Sequence, residues 1–482
     1  MPATIEARNP RTGEVDYRID PPKPAELKEL AERLRSAQAQ WEAAGVEGRA
    51  QVLGRWRRVL QERKSSLIDA LVEDTGRLAE SVLEVDAAAS GIERWCRLGP
   101  EILAEDAPRP SSMPAVSIRQ SMRPYPLVGV ISPWNFPLLL SLIDAVPALM
   151  AGCAVIVKPS EVTPRFIDPL TQSIAEVPEL SAVFVSVPGA GETGESLIDL
   201  VDAVCFTGSV PTGRRVGEQA SRRFIPAFLE LGGKDPAIVL SSADLDRATS
   251  AILWGSTANA GQACQSIERV YVDALVFDDF VGMIVDKAEK LRLAVPDSSS
   301  GEIGPIIAGK QVAVIRDHLA DAKSKGAKAL CGGEVEFIDG GAYCRPTVLT
   351  GVDHSMSVMT EETFGPIMPV MRFDDPDEAV RLANDTTFGL SAAVFAGSVE
   401  EAASVGSRIN AGAVSINDAA LTALVHDAEK NSFNLSGLGG SRMGPAALRR
   451  FGRRQALLVS ETKEPDLWWF PQLKEPEPHS ED

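Results

Sequence analysis

Apolar side chains in "PAELKELAERLRSAQAQWEAA" recur every three or four residues, which predicts a helix with one buried face, and Pro24 suits its first turn. Two more runs of the same period, Arg49 to Asp74 and Leu78 to Leu98, make the first hundred residues mostly helical. "EDAPRPSSMP" breaks that pattern, and "AVSIRQSMRP" after it alternates like a strand with one wet face. From Leu127 to Ala237 short apolar runs (LVGVIS, AVIVK, VFVSV, AVCF, FLELG) alternate with helical segments. A second such series, with ERVYVD, IMPVMRF, SAAVFA and AVSIN, fills Ile267 to Asn417. This alternation predicts an α/β fold of mostly parallel sheets covered by helices. Pro126 to Val157 carries a single charge, Asp144, but Pro126, Pro133, Pro137 and Pro147 divide it into strand, core helix and strand rather than a membrane span.

A chain of 482 residues has room for two or three domains and a large core. Its net charge of −19 argues against nucleic acid or an anionic membrane as partner, because both are polyanions. The first twenty residues lack a basic-then-apolar pattern, so no secretory signal is expected. Cysteines at 96, 153, 205, 264, 331 and 344 show neither a CxxC pair nor a disulfide spacing, and read as reduced thiols in a cytoplasmic protein. No metal-ligand cluster is visible, and no histidine stands in a Cys–His motif. The charged, Pro-rich "LKEPEPHSED" reads as a frayed tail.

Several short stretches carry candidate chemistry. "GAGETG", Gly189 to Gly194, fits the dinucleotide fingerprint, but no acidic residue follows at the required distance, and a plain glycine turn fits equally well. "VCFTGSVPTG" runs a strand into a Gly-Ser turn that opens a helix, where free N–H groups and the Ser209 hydroxyl suit a phosphate. Lys158 and Glu161, in "VKPSEVTP", end another strand of the same sheet, at the edge where such folds bind ligands. "ISPWNFP" pins the Asn135 amide between prolines, as an oxyanion donor needs. "FLELGGKDP" ends an apolar strand on Glu230, a position suited to a general base. In "NAGQACQSIERV" Cys264 follows a Gly-Gln pair, and the partner types left for it are Glu and Asn.

ISPWNFP, KPSEVTP, FTGSVPTG, ELGGK, NAGQACQSIER, EETFGP and NDTTFGLSAAVF, in this order across nearly the whole chain, resemble the aldehyde dehydrogenase superfamily. The resemblance implies a Rossmann-like cofactor domain (1–104 and 122–233), an α/β catalytic domain (234–440), a small β oligomerisation arm (105–121 and 441–475) and a tail (476–482). It implies an oxidoreductase that turns an aldehyde into its carboxylic acid with NAD, or NADP as the alternative, and assembles as a homodimer or homotetramer. Cys264 is then the nucleophile, Glu230 the base that activates water, and Asn135 an oxyanion donor. Trp134, Lys158, Ser160, Glu161, Gly191, Gly194, Phe206, Gly208, Ser209, Leu231, Glu362 and Phe364 are implied cofactor contacts. Glu161 favours NAD by repelling a 2′-phosphate, while Arg214 and Arg215 lie where they would help NADP.

Two departures from relatives stand out. Asp144 replaces a lysine of the helix after PWNFP, so a lysine-assisted proton relay is absent or rebuilt. "EKNSFNLSGLGGSRMG" keeps only Ser436, Gly437 and Gly439 of a loop that helps shape the substrate mouth. Phe136, Leu139, Ile143, Ala258 and Gln265, with Thr257, are expected around the substrate. Because no basic residue adjoins Cys264 on the side where a substrate carboxylate would want one, an apolar aromatic or long-chain aldehyde is expected, with a semialdehyde as the alternative. A CoA-acylating enzyme stands further off because it would not need a water-activating Glu230, and a non-catalytic scaffold of the same fold because Cys264, Glu230 and Asn135 occur together.

Overall fold

The protein is described here by a computed structural model covering residues 4–462. The first helix, Pro24–Ala43, buries Leu27, Ala31, Leu34, Gln38 and Trp41 along one face. Its start is fixed by the Glu26 carboxylate, which accepts from the Lys23 backbone N–H at 2.9 Å and so answers an unpaired terminal donor. The predicted run Arg49 to Asp74 is two helices, Gly45–Glu62 and Lys64–Thr75, because the chain leaves helical geometry at Arg63 (φ −94°, ψ 11°). The third run forms Ala79–Ile102. A short antiparallel hairpin, Ile5–Arg8 with Val15–Ile19, precedes them and was not expected.

These helices cover a six-stranded sheet ordered Gly437–Leu438, Ala227–Glu230, Ala203–Thr207, Leu127–Ile131, Ala154–Lys158, Phe184–Ser186. All but the first are parallel, and the two central strands are fully buried apolar runs, as a doubly covered sheet requires. Strand order reverses on either side of Leu127–Ile131, which opens a crevice at the carboxyl ends of the strands. Pro137–Ala151 is the expected core helix, ended by Gly152 at φ 105°.

A second sheet of seven strands runs Lys328–Cys331, Thr347–Thr350, Ile367–Phe373, Ile267–Asp273, Asp235–Val239, Ser391–Phe395, Ala413–Ile416. Asp235–Val239 lies inside this sheet, parallel to both neighbours, yet sequence patterning passed over it. The strand opens on Asp-Pro directly after two glycines, a composition that reads as a turn.

The alternating segment near residue 115 forms Val116–Pro124, paired antiparallel with Gly452–Ser460 along its whole length and with Arg109–Pro110 on its other side. Ala447, Leu448 and Phe451, just before the C-terminal strand, pack in the core of the first sheet rather than in this arm. The predicted tail at 476–482, and the arm beyond residue 462, lie outside the described residues. No helix among the described residues is long and apolar enough to cross a membrane.

Candidate active site

The crevice at the strand ends is a cleft of about 1060 Å³. Trp134, Lys158, Ser160, Glu161, Gly191, Gly194, Phe206, Gly208 and Ser209 all line it. Its inner end opens into a cavity of about 270 Å³ lined by Trp134, Asn135, Gly208, Ser209, Leu231, Cys264, Glu362 and Phe364, among others. The structure thus brings every implied cofactor residue into two adjoining cavities. Ser209 precedes the helix Val210–Arg223, and its side chain does not cap it, which leaves first-turn N–H groups facing the cleft. Lys158 is buried at the cleft floor, donating to the Gly189 carbonyl at 2.8 Å, with Glu161 3.6 Å from its ammonium. Arg215 and Arg222 line the outer wall. Gly191 and Gly194 belong to a helix, Gly191–Ile198, at the cleft edge.

A left-handed turn aims the cysteine. Asn259, Ala260 and Gly261 have φ of 54°, 51° and 70°, a run that L-residues rarely adopt. Gly261 is required twice over, since a Cβ there would stand 2.2 Å from the Gly365 carbonyl carbon. Side chains hold the two non-glycine residues in place. Asn259 Nδ2 donates to the carbonyls of Asn135 (3.0 Å) and Gln262 (2.9 Å), and Asn135 Nδ2 donates to the same Gln262 carbonyl at 3.0 Å. The buried Gln262 side chain spans to Pro305 O (3.2 Å) and the Ile307 N–H (2.8 Å). Asn135 therefore braces the loop that carries Cys264 with one amide hydrogen.

The turn that carries Asn135 is itself anchored. Glu84, buried and paired with Arg77 at 2.6 Å, accepts from the Leu138 and Leu139 N–H groups (3.1 Å each), the first turn of the helix Pro137–Ala151. A carboxylate at that end answers unpaired donors and the helix dipole together. The Arg77 guanidinium also lies 4.6 Å from the Phe136 ring centre, so Phe136 is stacked on a cation.

Burial pushes the Cys264 thiol up to about 12; Arg442 opposes this shift, while Asp235, Glu362 and Glu230 add to it. At neutral pH the sulfur is therefore protonated. Glu230 is half-buried, and Oε2 accepts from Ser432 Oγ at 2.6 Å. Burial, with Glu268 and Asp235 nearby, pushes Glu362 up to about 8, although the Gly233 N–H donates to it at 3.2 Å. Phe364 has φ 51° and stands edge-on to Trp134 with ring centres 5.4 Å apart.

Three sets of residues at the site escaped sequence reasoning. Lys234 and Glu268 form a buried pair at 2.6 Å, and Glu268 accepts from the N–H groups of Thr363 (2.7 Å) and Phe364 (2.8 Å), which fixes the Phe364 turn. Both lie inside the motifs ELGGK and QSIER, so their positions were legible but their pairing was not. Asp144 is buried against Arg442 (2.7 Å) and Arg450. Arg442 also donates to Thr207 Oγ1, whose residue pairs in register with Glu230. The region is thus organised around an arginine. Lys430 is the third case: burial pushes its ammonium down, against the opposing pull of the Cys264 sulfur and Glu230. Both cations arrive from a segment more than 160 positions downstream, which local inspection around Cys264 does not reach.

Phe136, Leu139, Ile143, Ala258 and Gln265 are half-buried, and Gln265 Oε1 is buried without a hydrogen-bond partner. Among the described residues no group of His, Cys, Asp and Glu is placed to hold a metal ion.

Residues 1–457 match the model of the aldehyde dehydrogenase family. The chain is 36% identical over 420 residues to a 4,4′-diapolycopene aldehyde oxidase of Methylomonas sp, covering 86% of this chain and 78% of that one. It is 34% identical over 432 residues to a putative succinate-semialdehyde dehydrogenase [NADP(+)] of Mycolicibacterium smegmatis, covering 89% and 83%. Among solved structures, the putative aldehyde dehydrogenase PutA from Anabaena variabilis superposes with a TM-score of 0.96 at 59% identity, covering 97% of this chain and 100% of that one. Lactaldehyde dehydrogenase from Escherichia coli superposes at 0.90 with 30% identity, covering 95% and 96%. The chain belongs to the aldehyde dehydrogenase family, oxidoreductases that act on aldehydes with NAD(P).

Proposed function

We propose that the protein oxidises an aldehyde to its carboxylic acid through a thioester on Cys264 that water then cleaves. The observation that carries this is the single small cavity lined by Cys264, Asn135, Glu362 and Phe364 at the inner end of the long cleft. With its proton removed, Cys264 adds to the aldehyde carbon, because the thiolate and not the thiol is the nucleophile. The free Asn135 N–H and the Cys264 backbone N–H take the charge that develops on the carbonyl oxygen. A bound nicotinamide supplies the hydride acceptor. Glu230, oriented by Ser432, then takes a proton from water as it attacks the thioester, and sulfur leaves.

The dinucleotide fit rests on the free helix terminus after Ser209 for a phosphate, and on Lys158 with Glu161 for ribose hydroxyls. Glu362 would hold the second ribose and Phe364 would back the ring, since both line the cavity beside Cys264. NAD is preferred because Glu161 opposes a 2′-phosphate, and a higher kcat/KM with NADP would overturn that preference. The strand Gly452–Ser460, with Leu457 and Leu458 exposed, is the proposed subunit contact.

For the substrate, Leu139, Ile143 and Ala258 support an apolar chain, as expected from sequence. A second reading, an aldehyde that also carries an acid group, is favoured by the likeness to the putative succinate-semialdehyde dehydrogenase of Mycolicibacterium smegmatis. The test is an aldehyde panel read by NADH absorbance, with rapid mixing to see the first turnover. Cys264→Ala should give no NADH, and Glu230→Gln a first-turnover burst followed by slow release. Full steady-state turnover in Glu230→Gln would point instead to transfer of the acyl group to CoA.

A further inference from the structure

The left-handed run that aims Cys264 includes two residues with side chains, Asn259 at φ 54° and Ala260 at φ 51°. Residues other than glycine stay in that region only where their surroundings over-determine them. Part of that restraint is the Asn259 amide, which donates to the carbonyls of Asn135 and Gln262. A further restraint comes from a different layer of the fold. The Asn259 N–H donates to Glu80 Oε1 at 2.9 Å. Glu80 stands in the first turn of the helix Ala79–Ile102, which covers the first sheet, whereas the loop leads into Ile267–Asp273 of the second. This bond therefore ties the two sheets together beside the cysteine.

One turn further along the same helix is Glu84, whose carboxylate holds the Leu138 and Leu139 N–H groups just after Asn135 (3.1 Å each). Residues four apart share one face of a helix, with Cβ atoms about 5–6 Å apart. Glu80 and Glu84 thus grip the Cys264 loop and the Asn135 turn from a single rod. The corner that launches this rod is fitted against the loop's other support. A Cβ at Gly76 would stand 2.4 Å from Pro305 Cγ, and the Pro305 carbonyl accepts from Gln262 Nε2 at 3.2 Å. Glu80 itself lines neither the cleft nor the inner cavity.

We propose that Glu80 is a positioning residue for the oxidation. It fixes the Cys264 loop against the Asn135 amide, so that sulfur and oxyanion donor meet the same carbonyl group. This inference rests on Cys264 and Asn135 acting as proposed above.

Rapid mixing with NAD and the fastest aldehyde of the panel tests it. Glu80→Ala should slow first-turnover NADH formation by about 10–100-fold, the scale of a misplaced reacting pair, with KM for the aldehyde and Kd for NAD within about threefold of wild type. Glu80→Gln keeps an acceptor oxygen at the same reach and should recover most of the rate. Tm should fall by no more than about 4 °C in either variant, since one hydrogen bond is at stake. A double variant separates positioning from other roles. In an Asn135→Ala background, Glu80→Ala should cost no more than about threefold further, because the spacing it sets no longer matters. Losses that multiply would overturn the proposal, as would an unchanged first turnover in Glu80→Ala or a Glu80→Gln no faster than the alanine variant. Should Glu80→Ala not fold, Glu80→Asp, one methylene short of the Asn259 N–H, takes its place under the same expectations. A wild type that oxidises no aldehyde would remove the reading of Cys264 itself, before any variant is made, and this inference with it.

Discussion

Replacing Asp144 with asparagine keeps the shape of the side chain and removes the charge that two guanidiniums share. Asp144 is 1% exposed, and its partners Arg442 and Arg450 are almost as deeply buried. Burial alone would push the Asp144 carboxyl up, but Arg442 and Arg450 prevail and hold it below the usual carboxylate range. Removing one partner of a buried ion pair costs about 3–5 kcal/mol, because the other charge is left without compensation. With two arginines stranded at once, the upper end applies, about 5 kcal/mol. At roughly 2–4 °C per kcal/mol for a unit of 150–250 residues, the expected fall in Tm is about 10–20 °C. Thermal scans at one fixed rate and pH 7 measure it, since a chain of this size need not refold after heating. Salt should leave the shift nearly unchanged, in contrast to a surface pair. The sign with pH is set by the lowered pKa. Asp144 contributes its full stability above the unfolded carboxylate pKa, so the gap between wild type and variant holds from neutrality down to about pH 4 and narrows below it. A Tm loss under about 3 °C at pH 7, or a gap that widens in acid, would refute the account.

Three further outcomes follow from the site. Gly233→Ala would place a Cβ 2.6 Å from the Cys264 carbonyl oxygen, a backbone atom with no room to yield, so kcat should fall by at least about tenfold while NAD binding persists; unchanged kcat would show that the loop moves freely. Because the thiol sits near 12 instead of 9, its thiolate fraction at pH 7 is about a thousandfold below that of an ordinary cysteine, and Cys264 alkylation in the free enzyme should still be climbing at pH 9. A plateau near pH 8 would contradict it. Glu362, pushed up to about 8, should ionise as pH rises through that value and become a better acceptor for ribose hydroxyls, so KM for NAD should fall across that range in the wild type and stay flat in Glu362→Gln.

What was legible in the sequence was whatever a continuous stretch of backbone must do for itself. Asn135, Ser209, Glu230 and Cys264 sit in short motifs because a turn, a helix start or a strand end places each of them, and the strands around the cleft read as apolar runs. The groups that tune these residues come from elsewhere in the chain. Arg442 answers Asp144 across 298 positions and Ser432 answers Glu230 across 202, and no local pattern marks such pairs. The strand Asp235–Val239 was missed for a different reason. Its Gly-Gly-Lys-Asp-Pro approach has the composition of a loop, and only burial on both faces makes it a strand.

The short strand Gly437–Leu438 has a consequence for how the protein is made. It is the last element added to the first sheet, and it covers the open side of Ala227–Glu230. A ribosome that has released everything up to residue 430 has delivered Cys264, Asn135 and Glu230. It has also left that strand edge bare, a template for pairing with another chain. Closure of the edge and seating of Ser432 on Glu230 then happen within one stretch of a few residues. A nascent chain stays unfinished as a catalyst for as long as it stays sticky, and both conditions end together.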